Sequence, residues 1–339
     1  MEELKQNKIK LLFDYYDNCN FVSEIITQLQ VHYDVIVCKW VPGEDNLRHK
    51  YLTWADIIFC EWAVSNAVWY SKNKMSHQKL YIRLHRWELY SHFFNQITWK
   101  NVTQLICISP QMQRFAISKN NEISDKSICI YNYVKFPMFQ DLDKTEDSHF
   151  NIGIMGILPR CKRLDIAIDI IQYLRTINNK YKLYVLGKTY KDDVIARWKT
   201  GTELAFHINI NTKIKELQLE NHIIFEPYTE QPEIWLRKIG FILSVSDIEG
   251  SHQAVAESMA TGTIPCIYGG ALRDYKLDDI YPRKYCFYEP NIHALCDKII
   301  SYSNSTSLVN EGNHCKQFCQ DNFTVENIYN QITKIFSVI

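Results

Sequence analysis

The chain has 339 residues, 46% of them hydrophobic and 22% charged, with a formal net charge of zero. At roughly 150 residues per domain this predicts two domains, each able to bury a core. The balanced charge offers no footprint for nucleic acid or for an acidic membrane surface. Apolar runs begin at Ile9–Phe13, Val35–Cys38, Ile57–Cys60, Leu80–Leu84, Leu105–Ile108 and Ile128–Tyr131. They are nearly continuous rather than alternating, as in strands of a parallel sheet covered on both faces. Stretches such as Phe21–Val31 and Gln111–Ser118 between them predict helices. The result is a βαβ series and a doubly wound sheet.

The segment Gln140-Asp-Leu-Asp-Lys-Thr-Glu-Asp-Ser148 is polar and without hydrophobic period, and predicts an interdomain linker. Asp141 and Asp143 within it have the spacing of a metal-binding pair, but read as solvated charge. The second half repeats the pattern, with candidate strands at Ile152–Met155, Lys182–Leu186, Ile223–Phe225, Phe241–Val245, Ile264–Ile267 and Tyr285–Tyr288. Leu164, Ala167, Ile168, Ile171 and Leu174 form one apolar stripe, which predicts a helix over Leu164–Ile177. Ile328, Ile332, Ile335 and Phe336 do the same for a last helix over Thr324–Ile339. The expected domains are 1–145 on the acceptor side and 150–318 on the donor side. The C-terminal stretch 319–339 is expected to pack back on the first domain.

The 11 cysteines are scattered, with Cys315 and Cys319 the closest pair and no Cys-x2-Cys spacing, so a zinc cluster is not expected. Met1 to Lys10 is charged and lacks the apolar core of a signal peptide. No apolar run approaches the ~20 residues of a membrane helix. Free thiols in a reducing compartment follow, and the expected location is cytoplasmic, at most peripheral to the inner membrane face. Trp62, Trp69 and Trp87 follow predicted strand ends. They read first as core or domain-interface residues and second as platforms for sugar stacking.

The most informative string is Ser246-Asp-Ile-Glu-Gly-Ser-His-Gln-Ala-Val-Ala-Glu-Ser-Met-Ala-Thr-Gly-Thr-Ile-Pro265, where seven residues separate Glu249 from Glu257. Gly250 permits a bend after the strand, and Ser251 is a suitable N-cap for a helix. The N–H groups of His252, Gln253 and Ala254 would then point at a pyrophosphate. A carboxylate suits a vicinal diol because it accepts from both hydroxyls. Two exposed helix glutamates would account for the spacing alone.

With its flanking residues, this string resembles the Glu-x7-Glu signature of the retaining GT-B glycosyltransferases of family 4. The resemblance implies an α/β GT-B fold, two Rossmann-like domains with parallel sheets facing a central cleft. It implies that Glu249 binds the donor sugar and Glu257 the ribose, with Ser246 ahead of them in the motif. Gly156-Ile-Leu-Pro-Arg-Cys-Lys-Arg-Leu-Asp165 is similar to the family segment whose arginine and lysine neutralise the donor diphosphate. Lys162 stands at the lysine position, and Ile157 occupies the arginine position. Arg160 or Arg163 is expected to supply the missing guanidinium. Leu80-Tyr-Ile-Arg-Leu-His85 resembles the family strand whose histidine contacts the donor sugar or acceptor, which makes His85 the third expected catalytic residue beside Glu249 and Lys162. Ile106-Cys-Ile-Ser-Pro110 is similar to the strand ending in serine ahead of the next helix, and Asn132 is expected in a turn. Asp17-Asn-Cys-Asn20 replaces the glycines usual in the first turn.

The expected activity is metal-independent transfer, with retention, from a UDP- or GDP-linked sugar to a glycan or lipid-linked acceptor, as in polysaccharide biosynthesis. No cofactor and no nucleic-acid partner are expected. A nucleotide-sugar epimerase and a non-catalytic nucleotide-sugar-binding subunit are the alternatives on the same scaffold.

Overall fold

In the computed structural model, all six apolar runs of the first half become parallel strands. The structure describes residues 8–17, 19–139, 143–194, 196–268, 279–289, 291–302 and 305–337. The chain divides into two compact units, Met1–Tyr133 with Val325–Ile339, and Val134–Thr324.

The first unit runs β1 (Lys10–Tyr15), α1 (Ser23–His32), β2 (Asp34–Lys39), α2 (Asp45–Trp54), β3 (Ile57–Glu61), α3 (Ser65–Asn73), β4 (Lys79–Leu84), β5 (Gln104–Cys107), α4 (Pro110–Lys119) and β6 (Ser127–Cys129). The sheet order is β2-β1-β3-β4-β5-β6, with every pair parallel. The strand order reverses between β1 and β3, the kind of point where such sheets open a crevice beyond their carboxyl ends. β3 and β4 are buried almost throughout, as continuous apolar runs should be. β2 differs: it is an edge strand, and Val37 is exposed.

The second unit runs β7 (Asn151–Met155), α5 (Leu164–Ile177), β8 (Lys182–Leu186), α6 (Gly201–Glu216), β9 (Ile223–Glu226), α7 (Pro232–Leu236), β10 (Phe241–Ser244), α8 (Gln253–Ala260), β11 (Ile264–Tyr268), β12 (Phe287–Glu289), α9 (Ile292–Ser301) and α10 (Ser305–Phe323). Its order, β12-β11-β10-β7-β8-β9, is that of a Rossmann sheet, with the reversal between β7 and β10. α5 has the bounds its stripe predicts. It also buries Ile166 and Ile170, because α6 and α9 pack on it in addition to the sheet.

The polar segment expected to be a linker is otherwise placed. Gln140, Asp141 and Leu142 lie outside the described residues, and residues 143–148 belong to the second unit. The Lys144 ammonium donates to the carbonyls of Leu236 and Ile239, each at 2.8 Å, and to Thr263. Thr145 N donates to Arg237 O at 3.1 Å. Gly240 leaves room for the adjoining turn: a Cβ there would lie 2.4 Å from the Ser148 carbonyl oxygen. A run of charges reads as solvated when its acceptors are some ninety residues away in sequence.

The helix expected over Thr324–Ile339 forms as α11 (Val325–Phe336), while the stretch 319–339 expected to pack back on the first domain is divided. α10 belongs to the second unit, and only α11 returns to the first. Its stripe of Ile328, Ile332, Ile335 and Phe336 enters a core with Leu11, Phe13, Ile25 and Phe59. Tyr81 donates its hydroxyl to the Ile335 carbonyl at 2.9 Å. Phe336 is 1% exposed and meets Phe59 edge-on. Phe336→Ala should therefore cost about 3–5 kcal/mol of stability, read as a lower urea midpoint by circular dichroism.

Candidate active site

Two loops meet at the reversal point of the second sheet. One leaves β7 and carries a 3-10 turn, Arg160–Lys162, ahead of α5. The other leaves β10 and reaches α8 by way of Ser246 to His252. Because β7 and β10 are paired neighbours, with Phe241 beside Ile152, residues some ninety apart in sequence become adjacent. Lys162 Nζ donates to Glu249 Oε1 at 2.6 Å, with side chains 20% and 8% exposed. The backbone N–H of Asp247 donates to the Cys161 carbonyl at 2.8 Å. Arg163 Nη1 donates to Asp247 Oδ1 at 2.7 Å.

The first turn of α8 differs from expectation. The N-cap is His252, in the left-handed region at φ +49°, rather than Ser251. Gly250 is not among the positive-φ glycines. His252 Nδ1 lies 2.6 Å from Ser244 Oγ at the end of β10, so the ring is turned inward and the helix begins one residue later, at Gln253. The Ser251 carbonyl accepts from the buried Tyr281 hydroxyl at 2.8 Å. The N–H groups of Gln253 and Ala254 lie in the first turn of the helix.

The environment separates the two glutamates. Burial disfavours the charge of Glu249, yet His252, Lys162 and a hydrogen bond from Ser246 outweigh it and bring the carboxyl down to about 2. His252 is itself lowered to about 4, by burial first and then by Lys162 against the pull of Glu249. At neutral pH the group is therefore a carboxylate beside a neutral imidazole. Half-buried Glu257 goes the other way, raised to about 7 by burial and by Glu233 against a hydrogen bond from Gln253.

Neither arginine is placed like Lys162. Arg163 gives Nε and Nη2 to Asp165 at 3.0 and 2.9 Å, and Nη1 to Asp247. Arg160 is exposed, with its Nε 3.6 Å from Glu203 Oε1. Ile157 is buried in the core and cannot carry a cation.

His85 lies in the first unit within a network that its sequence neighbours only partly disclose. Its Nε2 is 2.7 Å from Glu61 Oε1, and Arg83 Nη1 donates to the same oxygen at 2.6 Å. Arg83 Nη2 donates to Asn132, which is buried. Burial opposes the Glu61 charge, but Arg83 and His85 hold its carboxyl below the usual range. A carboxylate accepts, so His85 presents a proton on Nε2 to Glu61. Glu88, fully buried, accepts from the backbone of His85 and Ala63. Glu61, Arg83 and Glu88 were missed in the sequence. The signal was there in part: an arginine inside an apolar strand needs a partner, and Arg83 and His85 alternate onto one face.

Of the three tryptophans, Trp62 is buried and stacks on His85 at 4.0 Å. Trp69 is half-buried among Trp40, His49 and Tyr70. Trp87 is 41% exposed, on the turn that follows His85. In the first βα turn Asn18 lies outside the described residues, and the Asn20 carbonyl accepts from Tyr133 at 3.3 Å. Among the described residues no group of three or more His, Cys, Asp or Glu is placed to hold a metal ion. No helix among them is long and apolar enough to cross a membrane.

No family model matches the chain. Among curated proteins, a poly(ribitol-phosphate) alpha-N-acetylglucosaminyltransferase of Staphylococcus aureus (strain COL) is 21% identical over 238 residues, 68% of this chain and 43% of that protein. The chain thus spans less than half the length of that relative. Among solved structures, Anabaena HepE in complex with UDP and glucose is similar at a TM-score of 0.68 and 16% identity, covering 98% of this chain and 100% of that one. A glycosyltransferase from Rickettsia africae ESF-5 is similar at 0.71 and 13%, covering 97% and 98%. TarM is similar at 0.62 and 16%, covering 83% of this chain and 54% of its own. The fold is α/β of the GT-B class, built from two Rossmann-like units.

The raised carboxyl of Glu257 has a consequence for stability. A group whose folded value lies above its unfolded one contributes fully at low pH and loses that contribution as pH rises toward 7. Glu257→Gln, which mimics the protonated form, should match the wild type at pH 4 and exceed it at pH 8 by on the order of 2 kcal/mol. Urea denaturation at the two pH values measures this.

Proposed function

We propose that the chain is a retaining glycosyltransferase, moving a sugar from a nucleoside-diphosphate donor to a glycan or lipid-linked acceptor without a metal ion. The carrying observation is the Lys162–Glu249 pair, 2.6 Å apart beside the start of α8 at the reversal point of a Rossmann sheet. A cation and a helix N-terminus suit a diphosphate, and a carboxylate between them suits the hydroxyls of the attached sugar. A UDP-linked donor is favoured. HepE was solved with UDP and with UDP-glucose, and a TarM variant with fondaparinux, alpha-GlcNAc-glycerol and UDP.

In this reading the diphosphate lies against the N–H groups of Gln253 and Ala254, with Lys162 on its oxygens. Glu249 accepts from the sugar, and Glu257 accepts from the ribose hydroxyls in its ionised form. The acceptor oxygen forms a bond to the anomeric carbon as the bond to the diphosphate breaks. The acceptor proton passes to a departing phosphate oxygen on the same face, which retains the configuration. Negative charge grows on the leaving group, and Lys162 with the helix terminus stabilises it. The protein would work in the cytoplasm, at most peripheral to the inner membrane face.

Lys162→Ala and Glu249→Ala should each lower UDP release from a UDP-sugar by about 10²- to 10³-fold while the far-ultraviolet spectrum is kept. Wild-type turnover in a folded variant of either kind would remove the assignment.

A further inference from the structure

The Lys162–Glu249 contact stands beside two other bridges between the same two loops. The others are the hydrogen bond from Asp247 N to Cys161 O at 2.8 Å and the ion pair of Arg163 Nη1 with Asp247 Oδ1 at 2.7 Å. Arg163 turns its remaining edge to Asp165, with Nε 3.0 Å from Oδ1 and Nη2 2.9 Å from Oδ2. A planar guanidinium holds two carboxylates in fixed directions, which a lysine ammonium does not. The backbone of Arg163 is left-handed, at φ +54° and ψ +51°, a conformation that favours glycine. Glycine would take that backbone more easily, so exchanging Arg163 for glycine removes the side chain without straining the turn.

The three bridges differ in what a donor does to them. On the proposed reading, Lys162 turns to the diphosphate and Glu249 to the sugar, so their direct contact opens when substrate enters. The Arg163 fork and the backbone bond take no part in that exchange. Both continue to hold one loop against the other.

We infer that Arg163 is a positioning residue. Its fork between Asp165 and Asp247 keeps the β7–α5 loop in register with the β10–α8 loop, so that Lys162 and Glu249 stay on either side of the donor after their own contact opens. This rests on the glycosyl-transfer reading of the same site. It also separates the duties of neighbouring cations: Lys162 meets the diphosphate, and Arg163 meets only protein.

The test uses the full chain with UDP, UDP-glucose and UDP-N-acetylglucosamine as probes. UDP affinity is measured by calorimetry, and kcat by UDP release with water as acceptor. Arg163→Gly keeps a residue that adopts positive φ and removes the fork. Its kcat should fall about tenfold to hundredfold, with its thermal midpoint and UDP affinity close to wild type. Arg163→Lys should recover less than half of the loss, because an ammonium cannot span both carboxylates. Asp247→Asn should lower kcat in the wild type and add little in the Arg163→Gly background. Weakened UDP binding in step with kcat would make Arg163 a diphosphate ligand and overturn the inference. A lowered midpoint with unchanged kcat would make it merely structural, which also overturns it. A wild-type chain that neither binds UDP nor releases it from either sugar would overturn the underlying reading instead.

Discussion

A buried carboxylate is tolerated only where the fold supplies its partners, and Glu249 is 6% exposed. Its desolvation opposes ionisation, and Lys162, Ser246 and His252 together reverse that. The partners come from three places: the loop after β7, the loop after β10, and the cap of α8. Parallel pairing of β10 with β7, in the register Phe241 to Ile152, makes the first two neighbours. Removing one member of such a pair leaves a charge buried alone, which costs far more than the pair contributes. The geometry of the site and the pairing of those two central strands are thus one constraint.

The first unit solves the same problem with other residues. Glu61 closes β3, and the parallel register sets it beside Arg83 on β4. Arg83 is among the largest side chains buried completely, and its guanidinium also reaches Asn132 beyond β6. His85 meets Glu61 through Nε2 and is held in position by Glu88, with Trp62 stacked on its ring. In both units the carboxyl end of a parallel sheet holds an acid against a base. Backbone and side chain there belong to different crossovers, and only the sheet relates them.

The two glutamates of one motif have been driven apart. Glu249 is held down at about 2 by cationic company, while Glu257 is raised to about 7 by burial and by Glu233. One is a permanent carboxylate at neutral pH, and the other titrates there. A carboxylate beside Lys162 balances the ammonium charge within the pair. A carboxyl near its midpoint changes charge with small changes in its surroundings.

Periodicity and local chemistry were enough to reveal two parallel α/β halves, the bounds of α5 and the apolar stripe of α11, because each depends on residues a few positions apart. The motif around Glu249 and the segment around Lys162 were also legible as two sides of one site. What the chain could not disclose locally were partners set by register and crossover. These include Lys144 among carbonyls of the loop after α7, Arg163 forked between Asp165 and Asp247, and Glu61 and Glu88 around His85. His252 displaced Ser251 as the helix cap for the same reason: Ser244, on the strand behind it, draws the imidazole inward. Local sequence decides which elements form and which face each buries. Which buried charge meets which is decided only when parallel strands choose their neighbours, since that choice sets distances no spacing along the chain encodes.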